Sequence, residues 1–311
     1  MHLTGEDPNF GPNKYCPALR IIFLFTGVPS GGILSFVCRH LKTNWFTHIY
    51  DATTFISIIN RFTHYVNSSF TARVFKNTFK SIKVVPTVLY PSINTKAFDR
   101  NEKHLLNINI PEIQEDSFVF LSINRFERKK NLGLAIHAMQ ALETILRDEE
   151  WNKLHLVIAG GYDTRVTENV EYYDELVELC EKRNLASKVT FMKSPSDHMK
   201  VSLLAQCDCV LYTPENEHFG IVPLEAMYSS KPVIAVKSGG PTETIVHEST
   251  GYLTEPIPEN MAHYMAKLIG HDELREKLGS SGKRRFMDKF SFQTFCRYLN
   301  SIVFSVTSEG Y

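Results

Sequence analysis

A chain of 311 residues suits two domains better than one, and 43% hydrophobic with 22% charged residues is the composition of a globular protein with a sizeable core. Lys and Arg number 34 against 34 Asp and Glu, so no basic excess supports a general nucleic-acid role, and any phosphate binding has to be local. No apolar run approaches the ~20 residues of a membrane-spanning helix, so membrane contact is expected to be peripheral.

Residues 1–66 carry few signals. Pro8, Gly11, Pro12 and Pro17 predict an irregular start, Ile21-Ile-Phe-Leu-Phe25 a strand, and residues 27–32, with Gly31-Gly32, a turn. Residues 49–62 are apolar without a clean period. From Asn67 the pattern sharpens. Ser68 and Ser69 can cap a helix over residues 70–79, and residues 83–90 are β-branched enough for a strand ended by Pro91. Residues 94–115 are polar and read as an irregular interdomain linker.

Strands and helices then alternate. Strands are predicted at 118–123, 155–159, 188–192, 208–212 and 232–236, and helices at 131–146, 172–183, 199–206 and 222–229. Such alternation implies a parallel, doubly wound, Rossmann-like α/β sheet with right-handed crossovers, here without the dinucleotide fingerprint. The last stretch, 290–306, has apolar residues at helical spacing and reads as a closing helix.

Six cysteines, Cys16, Cys38, Cys180, Cys207, Cys209 and Cys296, are scattered, which argues against a disulfide framework and for a reducing compartment. Cys207-Asp-Cys209 reads as buried strand thiols, since no matching Cys or His cluster follows to complete a metal site. The sequon at Asn67 would matter only in a secreted protein.

Chemistry concentrates in loops that follow predicted strands, which in a doubly wound sheet converge on one edge. After the strand at 208–212 comes Glu217-His-Phe-Gly-Ile-Val-Pro-Leu-Glu225. Gly220 lets the backbone approach a ligand, Pro223 suits a first helical turn, and free N–H groups there attract phosphate. Two carboxylates around such a turn suit a sugar nucleotide, Glu217 for the sugar and Glu225 for a ribose. His218 offers a ring nitrogen, and Phe219 either covers the sugar or fills the core. After the strand at 118–123, Arg125 stands at the strand end and Lys130 at the helix start, a guanidinium fork and a point charge suited to a diphosphate. Arg128 and Lys129 read as a solvated basic loop. After the strand at 232–236, Gly239-Gly240-Pro241 turns into another helix start.

Together these residues resemble the donor half of a retaining glycosyltransferase of GT-B type, in the large glycogen synthase-like family. Ser122-Ile-Asn-Arg-Phe-Glu-Arg-Lys-Lys-Asn131, Ala159-Gly-Gly-Tyr162, Asn216-Glu-His-Phe-Gly-Ile-Val-Pro-Leu-Glu-Ala-Met227 and Val236-Lys-Ser-Gly-Gly-Pro241 are most similar to its eukaryotic α-1,3/1,6-mannosyltransferases of dolichol-linked oligosaccharide assembly. The resemblance implies GDP-mannose as donor substrate, a dolichol-diphosphate-linked oligosaccharide as acceptor, and work at the cytosolic face of the endoplasmic reticulum membrane, with other glycosyltransferases of the pathway as a further partner class. It implies no resident metal or cofactor. By the same resemblance Arg125 and Lys130 bind the diphosphate, Glu217 holds the mannose and Glu225 the ribose. Gly160, Gly161, His218, Phe219, Gly220, Ile221, Val222, Gly239 and Gly240 complete the donor contacts.

The expected organisation is a truncated acceptor-domain remnant at 1–93, a linker at 94–116, a GDP-sugar-binding donor domain at 117–290, and a closing helix and tail at 291–311. With so few residues ahead of Asn67, a non-catalytic GDP-sugar-binding or assembly subunit stands as the alternative. A UDP-sugar epimerase of similar architecture is a weaker third.

Overall fold

A computed structural model describes residues 21–23, 63–101, 110–111 and 113–308. The forecast turn at 27–32, the unassigned stretch 49–62, Cys16 and Cys38 lie outside them. The chain divides into two compact units, one of residues 1–90 and 296–311, the other of residues 91–295.

In the first unit, β1 (Ile21–Phe23), β2 (Thr63–Val66) and β3 (Thr87–Val88) pair in parallel in that order. Helix α1 (Ser69–Thr78) starts where the sequence places it, because the Ser68 hydroxyl accepts the Thr71 N–H at 2.9 Å and satisfies an otherwise orphan donor. Asn67 supports that cap by accepting the Thr71 hydroxyl at 2.8 Å. The strand expected over 83–90 shrinks to Thr87–Val88. Pro86 has no N–H to give a ladder, so pairing starts only after it.

The second unit holds a six-stranded parallel sheet in the order β6-β5-β4-β7-β8-β9. Its strands are β4 (Phe118–Ile123), β5 (Leu154–Gly160), β6 (Val189–Lys193), β7 (Cys209–Tyr212), β8 (Val233–Val236) and β9 (Gly251–Thr254). Every residue of β5, β7 and β8 is buried, which explains continuous apolar runs in place of alternation: helices cover both faces. Those helices are α3 (Gly133–Glu143), α4 (Asp148–Asn152), α5 (Thr167–Lys182), α6 (Asp197–Gln206), α7 (Val222–Tyr228), α8 (Pro241–Thr244), α9 (Pro258–Ala266) and α10 (Asp272–Lys289). The chain leaves β4 outward through β5 and β6, then returns to β7 on the other side of β4. The switch point therefore lies between β4 and β7, where Phe120 pairs with Cys209 and Leu121 with Val210. Asp208 pins that seam by accepting the Val119 N–H at 2.8 Å and giving its own N–H to the Val119 carbonyl at 2.9 Å.

Stretch 94–115 is not wholly irregular. Helix α2 (Thr95–Asn101) forms within it, held by the buried Phe98, whose ring lies 5.4 Å from that of Tyr228, and by a hydrogen bond from the Tyr228 hydroxyl to Asp99. Sequence periodicity also passes over β9, α9 and α10. Helix α9 packs along α3 through the buried Met261, Ala262 and Met265. The forecast closing helix forms as α11 (Phe292–Ser308), and from Cys296 onward it belongs to the first unit.

Cys180, Cys207 and Cys209 are buried free thiols, and burial pushes the first two up to about 12 and the third well above the ordinary thiol range. Thiolate is the reactive form. None of the three is expected to react with a thiol reagent at mildly alkaline pH in the folded protein, and labelling of any of them before unfolding, seen by peptide mass analysis, contradicts the packing described.

Candidate functional site

The loops leaving β4 and β7 are joined across the switch point. Arg128–Lys130 form one 3₁₀ turn, closed by Asn131 in the left-handed region at φ 49°. The Lys130 carbonyl accepts the Thr213 hydroxyl at 2.7 Å, and Thr213 is the first residue after β7. That bond fixes the Lys130 backbone beside the second loop. Its ammonium then meets Glu217 in a charge-assisted hydrogen bond, with side chains only 11% and 23% exposed. Two residues 87 apart in sequence thus form one ion pair at the sheet edge.

Arg125 stands at the end of β4, as expected, but does not join that pair. Its side chain is 61% exposed and its guanidinium is bound to Glu127 at 2.7 Å, so it is a cation at the rim of the loop. Glu127 also draws Lys129 at 3.1 Å, while Arg128 turns away to Glu171 at 3.2 Å and Glu175 at 2.5 Å. Neither Arg128 nor Lys129 contacts Lys130's partner, which agrees with a solvated basic loop.

The first part of the 217–225 segment is held by the loop after β8. Ser238 accepts the Asn216 N–H at 2.9 Å, and the Gly240 N–H donates to the Glu217 carbonyl at 2.8 Å. A Cβ on Gly239 would sit 2.2 Å from the Glu217 oxygen, and one on Gly240 the same distance from the Phe219 oxygen. These glycines are needed for close backbone approach whatever the ligand. Gly160 has a similar reason, since a Cβ there would lie 1.7 Å from the Asn124 carbonyl oxygen; one on Gly161 would lie 3.1 Å from the Arg125 side chain, which can give way.

Phe219 is buried with its ring 6.1 Å from Phe290, so it fills the core. His218 is half-buried, and burial lowers its pKa against the opposing pull of Glu217, which keeps the imidazole neutral near neutrality. Gly220 takes φ 83° and lies against Tyr212, whose hydroxyl would be 2.9 Å from an added Cβ. At the start of α7, Pro223 has no N–H, and the Leu224 and Glu225 N–H groups bond the Ile221 carbonyl at 2.9 and 3.1 Å. Gly220, Ile221 and Val222 are left with no backbone partner for their N–H groups among the described residues, and Ile221 is exposed.

Sequence alone does not single out Tyr212 or Lys200. Tyr212 ends β7 against Gly220; burial first, then the charges of Glu217 and Glu225, push its pKa well above the ordinary phenol value. Lys200, on α6, bonds Glu225 at 2.8 Å. Strand and helix periodicity mark both positions only as parts of elements, and the pairing appears only when α6, β7 and α7 are packed.

An open cleft of about 640 Å³ beside α3 and α5, lined among others by His137, Tyr172, Leu176 and Lys182, includes none of the sequence-derived site residues.

A doubly wound parallel sheet whose switch point carries two carboxylate–lysine pairs beside unbonded N–H groups is an α/β fold of the GT-B glycosyltransferase type. The chain belongs to the group 1 glycosyl transferases, whose family model matches residues 106–285. It is 50% identical over 235 residues to the human alpha-1,3/1,6-mannosyltransferase ALG2, covering 75% of this chain and 56% of the human one. The Dictyostelium discoideum protein of the same name is 43% identical over 253 residues, covering 76% and 60%. The Candida glabrata one is 33% identical over 343 residues, covering 94% and 72%. The chain thus spans a little over half the length of the human relative. Among solved structures, a glycosyltransferase from Rickettsia africae superposes with a TM-score of 0.72 at 18% identity, covering 93% of this chain and 77% of that one. Sucrose-phosphate synthase from Thermosynechococcus elongatus superposes at 0.66 and 20% identity, covering 89% and 67%. At such identities these two bear on the fold alone.

Proposed function

We propose that this chain binds GDP-mannose at the switch point of its second unit and serves in transfer of mannose to a dolichol-diphosphate-linked oligosaccharide, through α-1,3 or α-1,6 linkages or both. The observation that carries this is the Lys130–Glu217 pair, which sets a cation for a diphosphate and a carboxylate for a sugar hydroxyl side by side. The relatives named above supply the sugar and the linkages, as the activity in their names.

Transfer breaks the bond from the anomeric carbon to the terminal phosphate oxygen and forms one to an acceptor hydroxyl oxygen, whose proton passes to the leaving phosphate. The leaving diphosphate gathers negative charge, so fixed cations beside it stabilise the transition state more than the ground state. Lys130, largely buried, is one such cation, and Arg125, exposed at the rim of the same loop, is the other. Glu217 accepts a mannose hydroxyl, Glu225 the ribose hydroxyls, and the N–H groups of Gly220, Ile221 and Val222 face the phosphates. Neutral His218 adds a donor or acceptor for the sugar. No resident metal or cofactor is part of this scheme.

The workplace is the cytosolic face of the endoplasmic reticulum membrane, where a lipid-linked acceptor presents its sugar. Among the described residues no helix is long and apolar enough to cross a membrane, and attachment at the surface is the form of contact proposed. Labelled mannose should pass from GDP-mannose to a Man-GlcNAc2-diphospholipid in liposomes when the purified chain is added. A folded chain that binds GDP-mannose and gives no lipid product overturns the transfer, and leaves a donor-binding subunit without transferase activity.

A further inference from the structure

We propose that Lys200 is a positioning residue of the nucleotide site, holding the Glu225 carboxylate by one oxygen and leaving the other free for a ribose diol. The proposal rests on the assignment of Glu225 to the ribose.

Glu225 lies one turn into α7 between Leu224 and Ala226, both fully buried, and is itself only 6% exposed. A carboxylate in such surroundings needs a partner for its charge. Lys200 provides it at 2.8 Å, bonded to Oε1. No protein partner occupies Oε2 among the described residues, so that oxygen remains to accept from vicinal 2′- and 3′-hydroxyls.

The ammonium is fixed by its helix. Ser196 caps α6 by accepting the Met199 N–H at 3.1 Å, and the Lys200 N–H bonds the Ser196 carbonyl at 2.8 Å. Val201, Ser202, Leu203 and Leu204 are buried, which sets the rotation of the helix and sends the Lys200 side chain toward α7. The linker helix α2 packs against α6 as well, so the lysine is carried by an element clamped on two sides.

The test is affinity for GDP and for 2′,3′-dideoxy-GDP, measured by calorimetry on the full chain and its variants, with thermal melts to establish folding. Glu225→Gln is expected to bind GDP about tenfold more weakly, the size of one lost charge-assisted hydrogen bond, and dideoxy-GDP as before. Lys200→Gln is expected to show the same split, and Lys200→Arg to restore affinity for GDP. The double variant K200Q/E225Q, which leaves no buried charge unpaired and so remains informative if K200Q does not fold, is expected to match E225Q alone. Equal losses for GDP and dideoxy-GDP in K200Q, or a double variant weaker than E225Q, overturn the positioning role in favour of a separate contact. A Glu225→Gln variant with undiminished GDP affinity instead removes the ribose assignment on which the proposal stands.

Discussion

Lys130→Ala is expected to weaken GDP binding by about a hundredfold, some 3 kcal/mol, while the fold persists. Two effects of the same sign add. The diphosphate loses a cation held in a largely buried position, and Glu217 loses the partner that neutralises it. An unpaired carboxylate, only 23% exposed, then stands beside the diphosphate and repels it. The Thr213 bond to the Lys130 carbonyl is a backbone contact and survives the truncation, so the loop keeps its path. Calorimetric titration with GDP reads the effect, and an affinity within threefold of the unmodified chain would falsify the diphosphate role.

Glu217→Gln separates the two effects because it acts in the opposite direction on GDP. With the carboxylate neutral, Lys130 is released from its ion pair, and GDP without a sugar is expected to bind more tightly by about 1 kcal/mol, the scale of a partly exposed pair. Transfer of mannose, where the chain supports it, is expected to fall by about a hundred- to a thousandfold, as when one preorganised polar contact is removed. Were E217Q to weaken GDP as much as K130A, Glu217 would belong to the diphosphate subsite and not to the sugar.

The donor loops were legible in the sequence because each rests on a local signal: a short β-branched or apolar run, then glycine or a polar cluster, then a helical start. Those signals set the order β4 to β8 and, with the switch-point rule, brought Arg125, Lys130, Glu217 and Gly239 to one edge. Other elements depend on packing that local signals contradict. Helix α10 carries Gly279 and Gly282, both unfavourable in a helix interior, yet a Cβ on Gly279 would lie 1.9 Å from the Ser230 carbonyl oxygen at the end of α7. The glycine is there for helix contact, and no window of sequence shows the partner. Tyr212 and Lys200 are hidden for the same reason. Their charges and hydroxyls matter through residues that fold against them from other elements, and even Arg125, rightly placed at a strand end, takes a partner, Glu127, that spacing does not foretell.

Gly240→Ala is expected to be strongly damaging for a single added methyl. Gly240 has φ −58° and ψ −37°, a conformation alanine adopts readily, so backbone strain contributes nothing and the substitution is a purely steric probe. The added Cβ would stand 2.2 Å from the Phe219 oxygen and 2.3 Å from its Cα. Both are main-chain atoms, and no rotamer change can move them aside. Segment 217–220 therefore has to shift, and the Gly240 N–H bond to the Glu217 carbonyl at 2.8 Å shifts with it. A stability loss of about 3 kcal/mol is expected, at the upper end of overpacking costs. Displacement of Glu217 by about 1 Å is enough to reduce transfer about a hundredfold. Gly270→Ala is the matched control: at φ 72° with nothing within 4 Å of the new Cβ, it adds strain without a clash and lies far from the donor loops in sequence. It should cost about 1 kcal/mol and leave GDP affinity unchanged. If G240A melts with G270A and binds GDP as tightly, the turn does not brace the 217–220 segment, and the close approach of the two loops has no bearing on the donor site.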